Sequence, residues 1–132
     1  MEIILAENHG FCYGVKRAVE MANEAAEGKG KSYTLGPIIH NPQVVGRLES
    51  KGVSPIQEVA DIDEGTMIIR SHGVGPAIYA EAEEKGLHIL DATCPHVKKA
   101  QQDAKSVIED GMTLVILGEK NHPEVKSINL WA

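Results

Sequence analysis

Short apolar runs alternate with amphipathic stretches along this 132-residue chain, and that rhythm constrains the fold more than any other feature. IILA (residues 3–6), a segment near Tyr33 to Leu35, TMIIR (66–70), LHIL (87–90) and MTLVILG (112–118) read as strands, IILA and MTLVILG as buried ones. Strands of this kind belong to parallel sheets, in which crossover helices cover both faces. The stretches between them carry a helical period. Val15, Ala18, Val19, Ala22 and Ala26 fall on one helix face before Gly28 and Gly30 end it. Asn41 is placed to cap a helix opened by Pro42, with Val44 and Leu48 on the buried side. Pro76 opens another helix that closes around Gly86, PHVKKAQQDAKSVIEDG forms a longer one, and EKNHPEV turns into a last. The expected fold class is α/β, a parallel sheet with crossover helices. At 42% hydrophobic residues the chain has enough apolar material for one core.

Charge and composition then remove several functions. A formal charge of −6 opposes broad binding to a phosphate backbone, and 4% aromatic residues leave little for base stacking, so no nucleic-acid partner is expected. No apolar run reaches membrane-spanning length, and the first residues carry Glu2 and are too short for a secretory signal, so no membrane partner is expected and the reading is cytoplasmic. The dinucleotide fingerprint GxGxxG and the phosphate loop GxxxxGK[ST] do not occur. The two cysteines are read as free thiols or ligands rather than a disulfide.

The reactive residues fall in a pattern. Cys12, His40, His72, Cys94 and His122 each stand just after an expected strand and at or before an expected helix, where open parallel sheets bind ligands. Cys12 and His40 are 28 positions apart, as are Cys94 and His122, which suggests two related units facing one site; coincidence is the competing reading. A lone cysteine is usually a small buried hydrophobe. Cys12 sits in GFCYG, however, and Cys94 in DATCP, both in strand-to-helix turns where a helix dipole favours the thiolate and glycine permits close approach. Neither belongs to a CxxC, so spacing alone gives no metal signature and disfavours a thiol–disulfide oxidoreductase. His40, His72 and His122 stand in turns before Pro42, Pro76 and Pro123, where imidazoles and helix N-termini together suit an anion. Singly each could equally be a capping or surface residue. His88 lies inside LHIL and is assigned to packing or surface, while His9 and His96 merely adjoin the cysteines. Asp91 is placed to brace the turn before Cys94, and Glu124 on its own is explained by the preference for acids at helix starts.

Taken in order, GFCYGV, GPIIHNPQVV, RSHGV, DATCP and NHPEV resemble the 4-hydroxy-3-methylbut-2-enyl diphosphate reductase (LytB/IspH) family across essentially the entire chain. The resemblance implies reductive removal of an allylic hydroxyl in the methylerythritol phosphate route, giving isopentenyl and dimethylallyl diphosphate. It implies a [4Fe-4S] cluster with Cys12 and Cys94 as two of three cysteine ligands, His40, His72 and His122 around the diphosphate, and Glu124 as the proton-donating acid. A ferredoxin or flavodoxin is the implied electron donor. The implied fold places three α/β units around the central iron–sulfur site. On that basis residues 1–13 are the N-terminal strand and first cysteine loop, 14–94 the first unit, and 95–132 the start of the second. The third cysteine is missing, as are the polar substrate ligands of the family's later part, so this chain alone is expected to hold no complete cluster and to be inactive. A noncatalytic diphosphate-binding fragment is the rival from another class, and a zinc site built from both cysteines and two histidines is a second.

Overall fold

The computed structural model describes residues 1–28 and 30–132. Helix α1 (Tyr13–Glu27) is followed by β1 (Ser32–Leu35), α2 (Pro42–Ser50), β2 (Val53–Ile56), β3 (Thr66–Ile69), α3 (Pro76–Glu84), β4 (His88–Asp91), α4 (Pro95–Glu109) and α5 (Pro123–Asn129), with a 3-10 turn at Val59–Asp61. The four strands form one parallel sheet in the order β2-β1-β3-β4. Ser32 aligns with both Val53 and Thr66, and Thr66 with His88, so all four strands start level and their carboxyl ends share one edge.

The side-chain period of two explains the layers. In β3, Met67 and Ile69 point to one face and Ile68 to the other, and all three are fully buried. Ile68 joins Ala18 and Ala22 of α1 with Val44 and Leu48 of α2. Met67 and Ile69 join Ala82 of α3 and Val59 and Ile62 around the 3-10 turn. The expected α/β class with a parallel sheet and crossover helices is what the chain adopts. Asn41 caps α2 as its position implies, accepting from Val44 N at 3.1 Å, with Pro42 in the first turn.

Two expected strands are not strands. IILA carries no regular structure, and Ile3, Ile4 and Leu5 are all largely exposed. MTLVILG is likewise irregular, with Val115 and Leu117 in solvent. A strand is completed by its neighbour's hydrogen bonds, and neither segment pairs with β2 or β4, the two edges of the sheet. Cys12 and His122 therefore cap helices without following a strand, contrary to expectation. Conversely, β2 (VSPI) is a strand the sequence concealed behind Pro55. It lies on an edge, where a residue with no N–H is tolerated.

Candidate functional site at the carboxyl edge of the sheet

The strand order creates a cleft before any side chain is considered. The chain leaves β1 through α2 toward β2 and leaves β3 through α3 toward β4, and these helices lie on opposite faces. The loops after β1 and β3 thus part from each other, which is the switch point where open α/β sheets bind ligands. His40 is on the first of these loops and His72 on the second. Their ring centroids are 4.7 Å apart. A groove of about 250 Å³ beside them is lined by Phe11, Val15, Ile39, Asn41 and Ser71 as well as the two rings.

The third ring arrives from far along the chain. His122 caps α5, and its ring lies 5.6 Å from His72 and 6.3 Å from His40, centroid to centroid. What holds α5 there is a buried polar knot. Ser127 Oγ lies 2.6 Å from the His72 carbonyl oxygen and 2.9 Å from the Glu124 carbonyl oxygen, and Gln101 Nε2 of α4 donates to it at 3.4 Å. A second tie is the Trp131 indole N–H, which donates to Val74 O at 2.8 Å. Ser127 and Gln101 escaped the sequence reading. The available signal was Gln101 on the buried stripe Val97–Gln101–Ala104 of α4, a polar residue at an apolar position.

One nitrogen from each of His40, His72 and His122 lies within 4.8 Å of the others, so the three imidazoles form a convergent set of donors or ligands. His40 is exposed and the other two half-buried. Glu124 N donates to His122 Nδ1 at 3.3 Å, which leaves Nε2 as the ring nitrogen available to a ligand. His72 is pushed down from 6.5 to about 4, first by burial and then by the positive charges of His40, Arg70 and His122. Its Nδ1 is buried with no hydrogen-bond partner among the described residues. His72 is thus held neutral beside one guanidinium and two further imidazoles. Glu124 follows in the first turn of α5, half-buried, one residue past Pro123.

The cysteines occupy the neighbouring helix starts. Cys12 caps α1 and Cys94 caps α4, both as free thiols, Cys12 exposed and Cys94 partly so. The two loops touch. Gly14, in the first turn of α1, lies so close beneath Cys94 that a Cβ there would overlap the sulfur and come 2.9 Å from Cys94 Cβ. Arg17 of α1 reaches the same loop, donating to Thr93 O at 3.2 Å and Asp91 O at 3.4 Å. Asp91 does brace this turn, accepting from Thr93 N at 2.9 Å, and it also accepts from Tyr79 Oη at 2.9 Å and pairs with Lys98 at 2.6 Å. Burial alone would raise Asp91, yet the bonds from Lys98, Thr93 and Tyr79 outweigh it and hold the carboxyl below its ordinary value. His88 is exposed in β4, and His9 Nδ1 bonds to the nearby Ala6 carbonyl.

The donor set therefore fits part of an iron–sulfur centre. Two thiols on adjoining loops, both at the positive ends of 15-residue helices, are suited to ligation as thiolates. The sequence contains no third cysteine.

A family model described as LytB protein matches residues 3–132. A 4-hydroxy-3-methylbut-2-enyl diphosphate reductase from Geotalea uraniireducens (strain Rf4) is 53% identical over all 132 residues, which cover 47% of that relative. The namesake from Geobacter sulfurreducens is 54% identical over the same span, again 47% of its length. Among solved structures, an (E)-4-hydroxy-3-methyl-but-2-enyl diphosphate reductase, described as the terminal enzyme of the non-mevalonate pathway, superposes with TM-score 0.85 at 50% identity, covering 98% of this chain and 46% of that one. The E-1-hydroxy-2-methyl-but-2-enyl-4-diphosphate reductase from Plasmodium falciparum gives TM-score 0.91 at 34% identity, with 96% and 40% covered. The chain spans about half the length of the curated relatives it matches.

Proposed function

Because this chain belongs to the LytB protein family, we propose that it carries one side of the active site of a 4-hydroxy-3-methylbut-2-enyl diphosphate reductase. The reaction breaks the allylic C–O bond, takes up two electrons and two protons, forms one C–H bond and releases water, leaving isopentenyl or dimethylallyl diphosphate. The observation that carries the reading is the convergence of His40, His72 and His122 at the switch point of the sheet.

In this reading the three imidazoles hold the diphosphate. His122 donates from Nε2, fixed by the Glu124 N–H on its other nitrogen. A phosphate beside His72 offsets the burial and like-charge penalties that keep the ring neutral, so binding draws a proton onto it. Glu124, at the start of the helix that presents His122, is the proton donor to the substrate. Cys12 and Cys94 are two of the three thiolate ligands of an iron–sulfur cluster, which when bound supplies the electrons and a Lewis-acidic iron. A ferredoxin or flavodoxin in the cytoplasm is the donor consistent with this chemistry. In this reading residues 14–94 form the first α/β unit, 1–13 lead into it, and 95–132 begin a second, and the third cysteine lies outside residues 1–132.

Pyrophosphate titration of this chain, combined with iron and sulfide analysis after anaerobic reconstitution, tests the reading. Saturable pyrophosphate binding that is lost in His72→Ala and His122→Ala, with iron bound only while Cys12 and Cys94 are intact, is the expected result. Binding indifferent to the histidines overturns it, and pyrophosphate binding with no thiol-dependent iron supports the noncatalytic diphosphate-binding alternative. Stable cubane assembly with steady turnover would show that this chain needs nothing further.

A further inference from the structure

A second groove, of about 270 Å³, lies near the histidine cluster, at the ends of β1 and β3 and under α3 and α5. Its walls are Leu35, Val74, Ile78 and Leu130, and its polar side chains include Arg70 and Lys126. No carboxylate lines it, in a chain whose net charge is −6. Arg70 is half-buried, and among the described residues no acid lies within ion-pair distance of its guanidinium and its Nε has no hydrogen-bond partner. Arginine presents a fork of donors that is costly to desolvate without an acceptor. The fold makes room for this cation rather than expelling it. Gly36 turns with φ 72°, and a Cβ there would stand 2.6 Å from Arg70 Nη1.

From this geometry we infer a binding site for a phosphomonoester, its oxyanion held between Arg70 and Lys126 and its carbon portion against the apolar wall. Two cations match the charge of a phosphomonoester, close to −2 at neutral pH. A guanidinium fork accepts two of its oxygens at once, while Leu35, Val74, Ile78 and Leu130 offer nothing to inorganic phosphate beyond the oxyanion contact. Burial lowers Arg70, and among the described residues no neighbouring acid offsets it, as for a cation short of a counter-charge. None of the three imidazoles lines this groove, although the Arg70 charge reaches His72.

The test is titration of the folded chain with inorganic phosphate and with butyl phosphate, followed by amide and arginine side-chain NMR. Both probes are expected to shift Arg70 Nε–H and the Gly73–Gly75 amides, butyl phosphate binding more tightly. Arg70→Gln is expected to weaken binding by about tenfold or more, the loss of one charge-assisted pair. Arg70→Lys, which keeps the charge without the fork, gives an intermediate loss, and Lys126→Ala a smaller one. In His40→Ala the Arg70 Nε–H still shifts with butyl phosphate. The inference fails if neither probe shifts Arg70 Nε–H, or if the preference for butyl phosphate over inorganic phosphate survives Arg70→Gln in a variant whose amide spectrum shows it folded. It also fails if His40→Ala abolishes binding, which would assign the phosphate to the histidine cleft and leave the proposed function intact.

Discussion

His72 is where burial, charge and function meet in one side chain. Its folded value of about 4 lies below the ordinary 6.5, so between these values the unfolded chain binds a proton that the folded chain refuses. Stability from this residue is therefore complete above 6.5 and declines as pH falls toward about 4. Urea unfolding across that window should show a steeper acid loss for the unaltered chain than for His72→Gln, and saturating pyrophosphate should shrink the difference by letting the folded ring charge. An equal slope in both proteins would remove the electrostatic account. Gly14 makes a separate prediction at the same scale. Gly14→Ala forces a methyl against the Cys94 sulfur, and overpacking of this kind costs about 1–3 kcal/mol. The displaced thiol should also react faster with a maleimide than in the unaltered chain, measured under native conditions.

At the scale of elements, the polar knot at Ser127 decides whether α5 stays where the cleft needs it. A helix of seven residues has little stability of its own. Its position depends on Ser127, Trp131 and the packing against α4. Ser127→Ala removes the tie to the His72 carbonyl and strands the buried Gln101 amide, at a cost of about 1–3 kcal/mol. Hydrogen exchange should then speed selectively in α5 while β1 and β3 keep their protection. Uniform acceleration would mean that the knot serves global stability instead. The same elements show what the sequence made legible. Helix starts were readable because their chemistry is local: Asn41 with Pro42, and Pro76, Pro95 and Pro123 after Gly75, Cys94 and His122. Cys94, His40 and His72 were readable for the same reason, as residues between a strand and a helix. The Ser127–Gln101–His72 contacts were not, because they join three elements whose mutual placement no local pattern encodes. Pro55 hid β2, since edge position is a property of the sheet and not of the tetrapeptide VSPI.

Across the whole molecule, the errors about IILA and MTLVILG share a cause. Both segments are apolar runs of strand composition, but a strand exists only in a ladder. In this chain Ile3, Ile4, Leu5, Val115 and Leu117 instead face solvent. Large exposed apolar side chains in two segments that join no strand among the described residues favour association. In the proposed reading the rest of the longer relatives covers it, since they extend to roughly twice this length. The consequence is measurable on the chain as it stands. It should bind a hydrophobic dye and self-associate with rising concentration. Val115→Lys with Leu117→Lys should reduce both effects while changing unfolding free energy by no more than about 0.5 kcal/mol per site, the range for exposed positions that pack against nothing. A large loss of stability in that double variant would show these residues to be buried in solution, and dye binding that persists unchanged would move the association surface elsewhere.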